Sequence, residues 1–253
     1  MARPVGTILR RAALAGMVGA SAAWVLLTPD TATSSRRVVA HREGTRAAAG
    51  ATTSQSTSPS ACSDSSYALA SAKWTTQYRW YIKTSTTPSG VSSDSAVSAL
   101  RAGVTNVTRG ENDCGIGGDT PASAAYQGST SSSANITSSA GCGTRDSRNV
   151  VDFGTLPSGY LALTCWWSSG GSIVEADIRL NKSNYGWVTS TSGCSNKFMI
   201  EAVITHEFGH AFGLNHVSES SHGKLSMSPT IMACQNSESS LGLGDVRGLE
   251  AKY

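Results

Sequence analysis

Residues His206, Glu207, His210, Gly213 and His216 set out the pattern H-E-x-x-H-x-x-G-x-x-H across 206–216. No other stretch limits so tightly what this chain can fold into. Histidines at i and i+4 of a helix leave the same face. Two imidazole nitrogens then lie about 3 Å apart, as one zinc ion requires. Gly213, with no Cβ, suits the left-handed turn that ends a helix. The chain then swings back and His216 becomes a third nitrogen ligand. Three protein ligands leave a fourth position open, which marks a catalytic rather than a structural zinc site. Glu207, beside the first ligand, is the candidate general base for a zinc-bound water. A bare H-E-x-x-H also turns up on ordinary amphipathic helices. The eleven-residue form is far more demanding, and three of the chain's five histidines fall inside it.

The N-terminus reads differently. Arg3, Arg10 and Arg11 precede an apolar run over 12–27, and small residues follow it. A basic start, a short apolar run and a small-residue exit describe a secretory signal peptide over 1–32. The alternative is an uncleaved membrane anchor, for which the run is slightly short. Residues 33–60 show no apolar periodicity, and 51–60 is almost all Ser, Thr and Gln. This composition describes a poorly ordered pro-segment or flexible linker. Arg46 would suit processing, although basic residues in a linker are ordinarily just solvated. Residues 1–61 carry a net charge of +5 and the remainder −2, so the chain's formal +3 belongs to its leader. Residues 61–253 therefore offer no basic patch for nucleic acid or an anionic membrane.

All six cysteines lie beyond the linker: Cys62, Cys114, Cys142, Cys165, Cys194 and Cys234. An even count behind a signal peptide implies three disulfides in an oxidising compartment. Six cysteines allow fifteen pairings and sequence alone does not choose; the sequential set, Cys62–Cys114, Cys142–Cys165 and Cys194–Cys234, is the working expectation. About 190 residues remain for one domain with a real core. Strands are expected over 73–83, 149–153, 160–167 and 172–180, the last as an edge strand guarded by Glu175 and Arg179. Ser92 or Ser93 should cap a helix reaching about Asn106. The motif helix should begin near Ser195 or Asn196, and a last helix should cover 244–252.

The motif and the residues after it resemble the metzincin zinc peptidases, and among them the matrixins. After His216 the stretch 225–230 looks like their methionine turn. Met227, with Pro229 two residues on, is preferred to Met232. Residues 242–253, with Asp245, are similar to the matrixin C-terminal helix, and 176–180 followed by Trp187 to the matrixin edge strand. The likeness is specific over the last fifty residues and loose before Val150. It implies an α+β fold: a metzincin-like catalytic domain with a twisted mixed β-sheet, an active-site helix, a Met-turn and a C-terminal helix. There are departures. Leu163 and Arg179 stand where the matrixins' second-zinc histidines would be, and no cysteine precedes Cys62 to silence the site. Calcium has candidate ligands in Asp113, Asp119, Asp146 and Asp152, although isolated loop acids are ordinarily solvated.

The function expected is that of a secreted, extracellular zinc metalloendopeptidase acting as a monomer on protein or peptide substrates. His206, His210 and His216 would hold one catalytic Zn2+ and Glu207 would be the base, with Gly213, Met227 and Asp245 supporting the site. Substrate would extend the edge strand over 172–180. The rivals are a secreted zinc-containing binding domain without catalysis, against which Glu207 argues, and a zinc amidase acting on cell-wall peptides.

Overall fold

The computed structural model describes residues 37–48, 58–118 and 120–253. The expected signal peptide and most of the Ser/Thr-rich linker lie outside them. In chain order the strands are β1 (Val39–Glu43), β2 (Arg46–Ala47), β3 (Ala68–Leu69), β4 (Tyr78–Ile82), β5 (Ala124–Ser129) and β6 (Asn149–Gly154). They continue with β7 (Ala162–Ser169), β8 (Ser172–Asn181), β9 (Gly186–Val188), β10 (Lys197–Met199), β11 (Leu214–Asn215) and β12 (Thr230–Ile231). The helices are α1 (Ser93–Arg109), α2 (Ile200–Ala211), α3 (Glu219–His222) and α4 (Leu243–Lys252).

Six strands form a mixed sheet in the order β1-β7-β8-β6-β4-β5. The β8, β6, β4 and β5 neighbours are parallel, whereas β1/β7 and β7/β8 are antiparallel. Alternation along β7 explains both sheet faces. Ala162 and Trp166 enter the main core, while Leu163, Cys165 and Trp167 enter a second cluster with Ala134, Ile136, Ala140 and Leu156. A strand covered on both sides has no solvent face, so its sequence reads as a continuous apolar run. The main core packs Tyr78 and Trp80 of β4 against Phe208 and Phe212, with Trp80–Phe208 ring centroids 5.5 Å apart. Helix α1 crosses α2 at Gly103, where a Cβ would collide with Ile204 Cγ2. Ser92 caps α1 by accepting the Ser95 N–H at 3.1 Å, as the sequence suggested, and the helix runs on to a left-handed Gly110.

Three sequence expectations need correction. Strand β8 is not an edge. It lies between β7 and β6, and residues 134–148 fold over its polar face. Glu175 is fully buried, and Arg179 is engaged by Asp152, so their charges are satisfied by protein rather than water. The motif helix starts at Ile200, not near Ser195, because 197–199 pairs in parallel with β9 and extended backbone there holds off the helix. Residues 39–43 and 46–47, expected to be poorly ordered, form strands on the folded domain. The three cystines match the sequential pairing: Cys62–Cys114, Cys142–Cys165 and Cys194–Cys234.

Candidate metal centre and catalytic cleft

Helix α2 carries His206 and His210 one turn apart, with both side chains wholly buried. The helix ends at Ala211, and Gly213 follows at φ +86°. A Cβ there would also meet Ala72 O at 2.9 Å, so both conformation and space demand glycine. This turn delivers His216. The three Nε2 atoms stand 2.9, 3.0 and 3.0 Å apart. The opposite ring nitrogens fix their chemistry. His206 Nδ1 donates to Ser226 O at 2.6 Å, and His210 Nδ1 donates to Leu214 O at 2.9 Å. A carbonyl only accepts, so in each ring the hydrogen sits on Nδ1 and Nε2 presents its lone pair. His216 Nδ1 lies 3.4 Å from a Glu43 carboxylate oxygen.

Burial, reinforced by the neighbouring His216, brings the His206 pKa down to about 3. Burial, then Arg46, brings His216 to about 4, and burial with its two neighbours holds His210 well below the ordinary value. All three rings are thus neutral, the ligating form. Lone pairs converging this closely repel one another unless a cation lies among them, and an all-imidazole set with bonds of about 2.0–2.1 Å suits zinc. The residues fit the metal. Among the described residues, no other group of three His, Cys, Asp or Glu side chains gathers to hold one. Of the calcium candidates, Asp152 is committed to Arg179 and Asp119 lies outside the described residues.

Glu207, the residue after His206 on α2, is fully buried. One carboxylate oxygen accepts the Thr164 hydroxyl at 2.5 Å; the other accepts the Thr45 N–H at 2.9 Å and the Thr45 hydroxyl. Burial pushes its pKa up to about 7, against the pull of those hydrogen bonds. Met227 is buried against α2; a Cβ on Gly209, next to His210, would collide with its Sδ. Met232, the other methionine considered, is exposed. Asp245 accepts the N–H groups of Ser226 (2.9 Å), Met227 (3.2 Å) and Gly242 (2.8 Å), and burial pushes its pKa up to about 6. It thereby fixes the turn whose Ser226 carbonyl orients His206.

The residues singled out in the sequence, His206, Glu207, His210, Gly213, His216, Met227 and Asp245, thus converge on one site. Sequence reasoning missed Thr164, Thr45 and Glu43. Nothing marks them, since a strand threonine and two linker residues acquire meaning only by proximity. His222, the last residue of α3, bonds Asp64 at 2.8 Å instead of joining the site.

Neutral imidazoles with inward lone pairs, next to one buried carboxylate and against a methionine turn, are the working parts of a metal-dependent peptidase. Residues 130–253 match the family model described as Matrixin, and this part of the chain is a matrixin-like zinc metallopeptidase domain. No curated protein matches the chain.

Proposed function

We propose that this protein is a secreted endopeptidase that cuts extended polypeptide within the cleft lined by β7, α2 and residues 229–231. The supporting observation is the course of 39–48. This peptide enters along β7, passes Glu207 and leaves beside β12, so the cleft accepts chain on both sides of the catalytic carboxylate. A cleft open at both ends serves internal bonds. The substrate edge is β7, in place of the stretch 172–180 that the sequence suggested.

His206, His210 and His216 would hold a zinc ion, which would supply Lewis acidity and a water of lowered pKa. Glu207 accepts the proton of the attacking water and passes it to the departing amine. Thr164 holds one oxygen of Glu207, leaving the other turned toward the peptide. Ser226 and Leu214 carbonyls keep His206 and His210 in the ligating tautomer. Backbone groups of β7 and Pro229 align the peptide, so side-chain selectivity falls to the surrounding loops. The Arg-led apolar start and three cystines support secretion, and the lack of a basic patch supports a protein substrate rather than nucleic acid. We take the secreted form to be a monomer.

Glu207→Ala tests this reading. The variant should bind one zinc per chain, by elemental analysis, and lose casein hydrolysis by on the order of 10²–10⁴-fold. Full activity in the variant overturns the role of Glu207. A zinc-loaded wild type inactive on every protein, but active on purified cell wall, would replace the endopeptidase with an amidase.

A further inference from the structure

Strand β1 pairs antiparallel with β7 from Val39↔Ser168 to Glu43↔Thr164. His41 stacks on Trp166 with ring centroids 5.4 Å apart, and its Nε2 lies 3.1 Å from Ser168 Oγ. Beyond β1 the contacts change partner without leaving the cleft. Thr45 O accepts the Leu161 N–H at 2.9 Å. The Arg46 N–H donates to Pro229 O at 2.8 Å, and the Ala48 N–H donates to Ile231 O at 3.0 Å. Arg46 also lays its guanidinium 4.2 Å from the centre of the Tyr160 ring and bonds its hydroxyl at 2.9 Å. Residues 39–48 are therefore held as a bound peptide, mostly through backbone.

One peptide bond in that run has a distinct environment. The Thr45 nitrogen sits 2.9 Å from the Glu207 carboxylate, where a leaving amine must be to receive its proton. The residue before it is Gly44, and a Cβ there would lie 2.5 Å from Ala162 O and 2.9 Å from Leu163 Cδ1. Close approach of the backbone to β7 at this point requires glycine.

We propose that the protein cuts its own chain between Gly44 and Thr45. This rests on the endopeptidase reading and adds a self-processing activity with a defined site. Water adds across the amide: hydroxyl joins the Gly44 carbonyl carbon, the C–N bond breaks, and the proton taken by Glu207 ends on the Thr45 nitrogen. The products are a peptide ending in Gly44 and a domain beginning at Thr45. Until the cut is made, 39–44 fill one side of the cleft and deny it to other peptides. No cysteine is needed for that hold. The same contact between Gly44 and β7 selects glycine on the N-terminal side of the bond.

The experiment compares the full-length chain as wild type, Glu207→Gln and Gly44→Val, each followed by intact mass and N-terminal sequencing. The wild type should yield Thr45 as its N-terminus, at a rate independent of protein concentration. Glu207→Gln should slow the cut by on the order of 10²–10⁴-fold. Gly44→Val should leave this bond uncut, because the valine side chain cannot seat against Ala162. A second readout does not use catalysis. In Glu207→Gln, the amides of Arg46 and Ala48 should be protected from hydrogen exchange, and Gly44→Val added to that variant should release them. Wild type that digests casein but starts elsewhere than Thr45 overturns the self-cut and leaves the endopeptidase standing. A cut at Thr45 that persists undiminished in Glu207→Gln, a rate that rises with concentration, or unprotected Arg46 and Ala48 also overturns it. Wild type that neither digests casein nor cuts itself, while Arg46 and Ala48 remain protected, puts the failure in the endopeptidase reading.

Discussion

Two groups of buried polar side chains flank β7, one on each face of the sheet, and they are balanced in opposite ways. On the helix side, His206, His210 and His216 aim three lone pairs at one another. On the far side, Arg179 binds both oxygens of Asp152 at 2.6 and 2.7 Å and reaches the carbonyls of Ala134 and Ile136. Asp152 in turn accepts the Ala134 N–H at 2.9 Å. Asp177 accepts the N–H groups of Asn135 and Val150 at 2.6 and 2.7 Å, and Glu175 accepts those of Asp146 and Ser147. These far-side charges find their partners inside the chain. The helix-side group is complete only around a cation. Arg179 stands where the matrixin resemblance would place a second-zinc histidine. Its guanidinium does comparable work by pinning the 134–148 loop to the sheet. The Cys142–Cys165 cystine adds a second fastening.

The contrast breaks most decisively through the metal. His210→Ala should remove zinc and bring hydrolysis below detection, since the two remaining imidazoles do not make a catalytic site. Amide exchange over 134–148 should stay as slow as in the wild type. Elemental analysis and exchange on one preparation check both halves. If the loop loosens together with zinc loss, the two faces are coupled and the division is wrong.

Arg179→Met tests the other side. Removing one partner of a buried pair leaves Asp152 charged and unmatched, at a cost of about 3–5 kcal/mol. Urea unfolding should show that loss while the zinc content remains one per chain. A drop in zinc content would mean that the loop also shapes the metal site. The double variant Cys142→Ser/Cys165→Ser should lose less, about 3 kcal/mol for a loop spanning 23 residues. It should retain hydrolysis, because Cys165 faces the loop cluster while Thr164, its neighbour in the strand, faces Glu207.

The same asymmetry decides what could be read from the sequence. His206 and His210 were legible because helical spacing alone puts them on one face, and Gly213 because a reversal to His216 needs a left-handed residue. Met227 and Asp245 were legible through the matrixin likeness, and the structure joins them by backbone hydrogen bonds to the turn that orients His206. Strand β8 was misread because Glu175 and Arg179 look like solvent-facing charges until the covering loop is known. That loop is polar and low in complexity, and nothing local says that Asn135, Asp146 and Ser147 will come to rest over those charges. Strand β1 escaped notice for a different reason. Its residues, VAHRE, have no apolar periodicity, and what fastens them is backbone pairing to β7. A pattern of side chains cannot report a bond made by peptide groups.

The smallest effect belongs to the pair Asp64–His222, which joins the segment after the linker to α3. Burial alone would raise the Asp64 pKa, but hydrogen bonds from His222 and Ser66, with the charge of His222, outweigh it and lower the net value. Asp245 is the nearby acid that feels the Asp64 charge. A lowered carboxylate pKa means that the folded state prefers the ion. The contribution is therefore complete above the ordinary aspartate value of 3.8 and is lost as pH falls through the lowered one. Asp64→Asn should cost on the order of 0.2–1 kcal/mol near neutrality, since His222 is partly exposed and solvent screens the pair from that side. Its stability curve should meet that of the wild type in strong acid. Urea midpoints taken from neutral pH down to about 3, within the range where such carboxylates titrate, measure the gap. A gap that widens toward acid would show that Asp64 is held protonated, and would remove the ion pair from the account of how α3 is anchored beside the cleft.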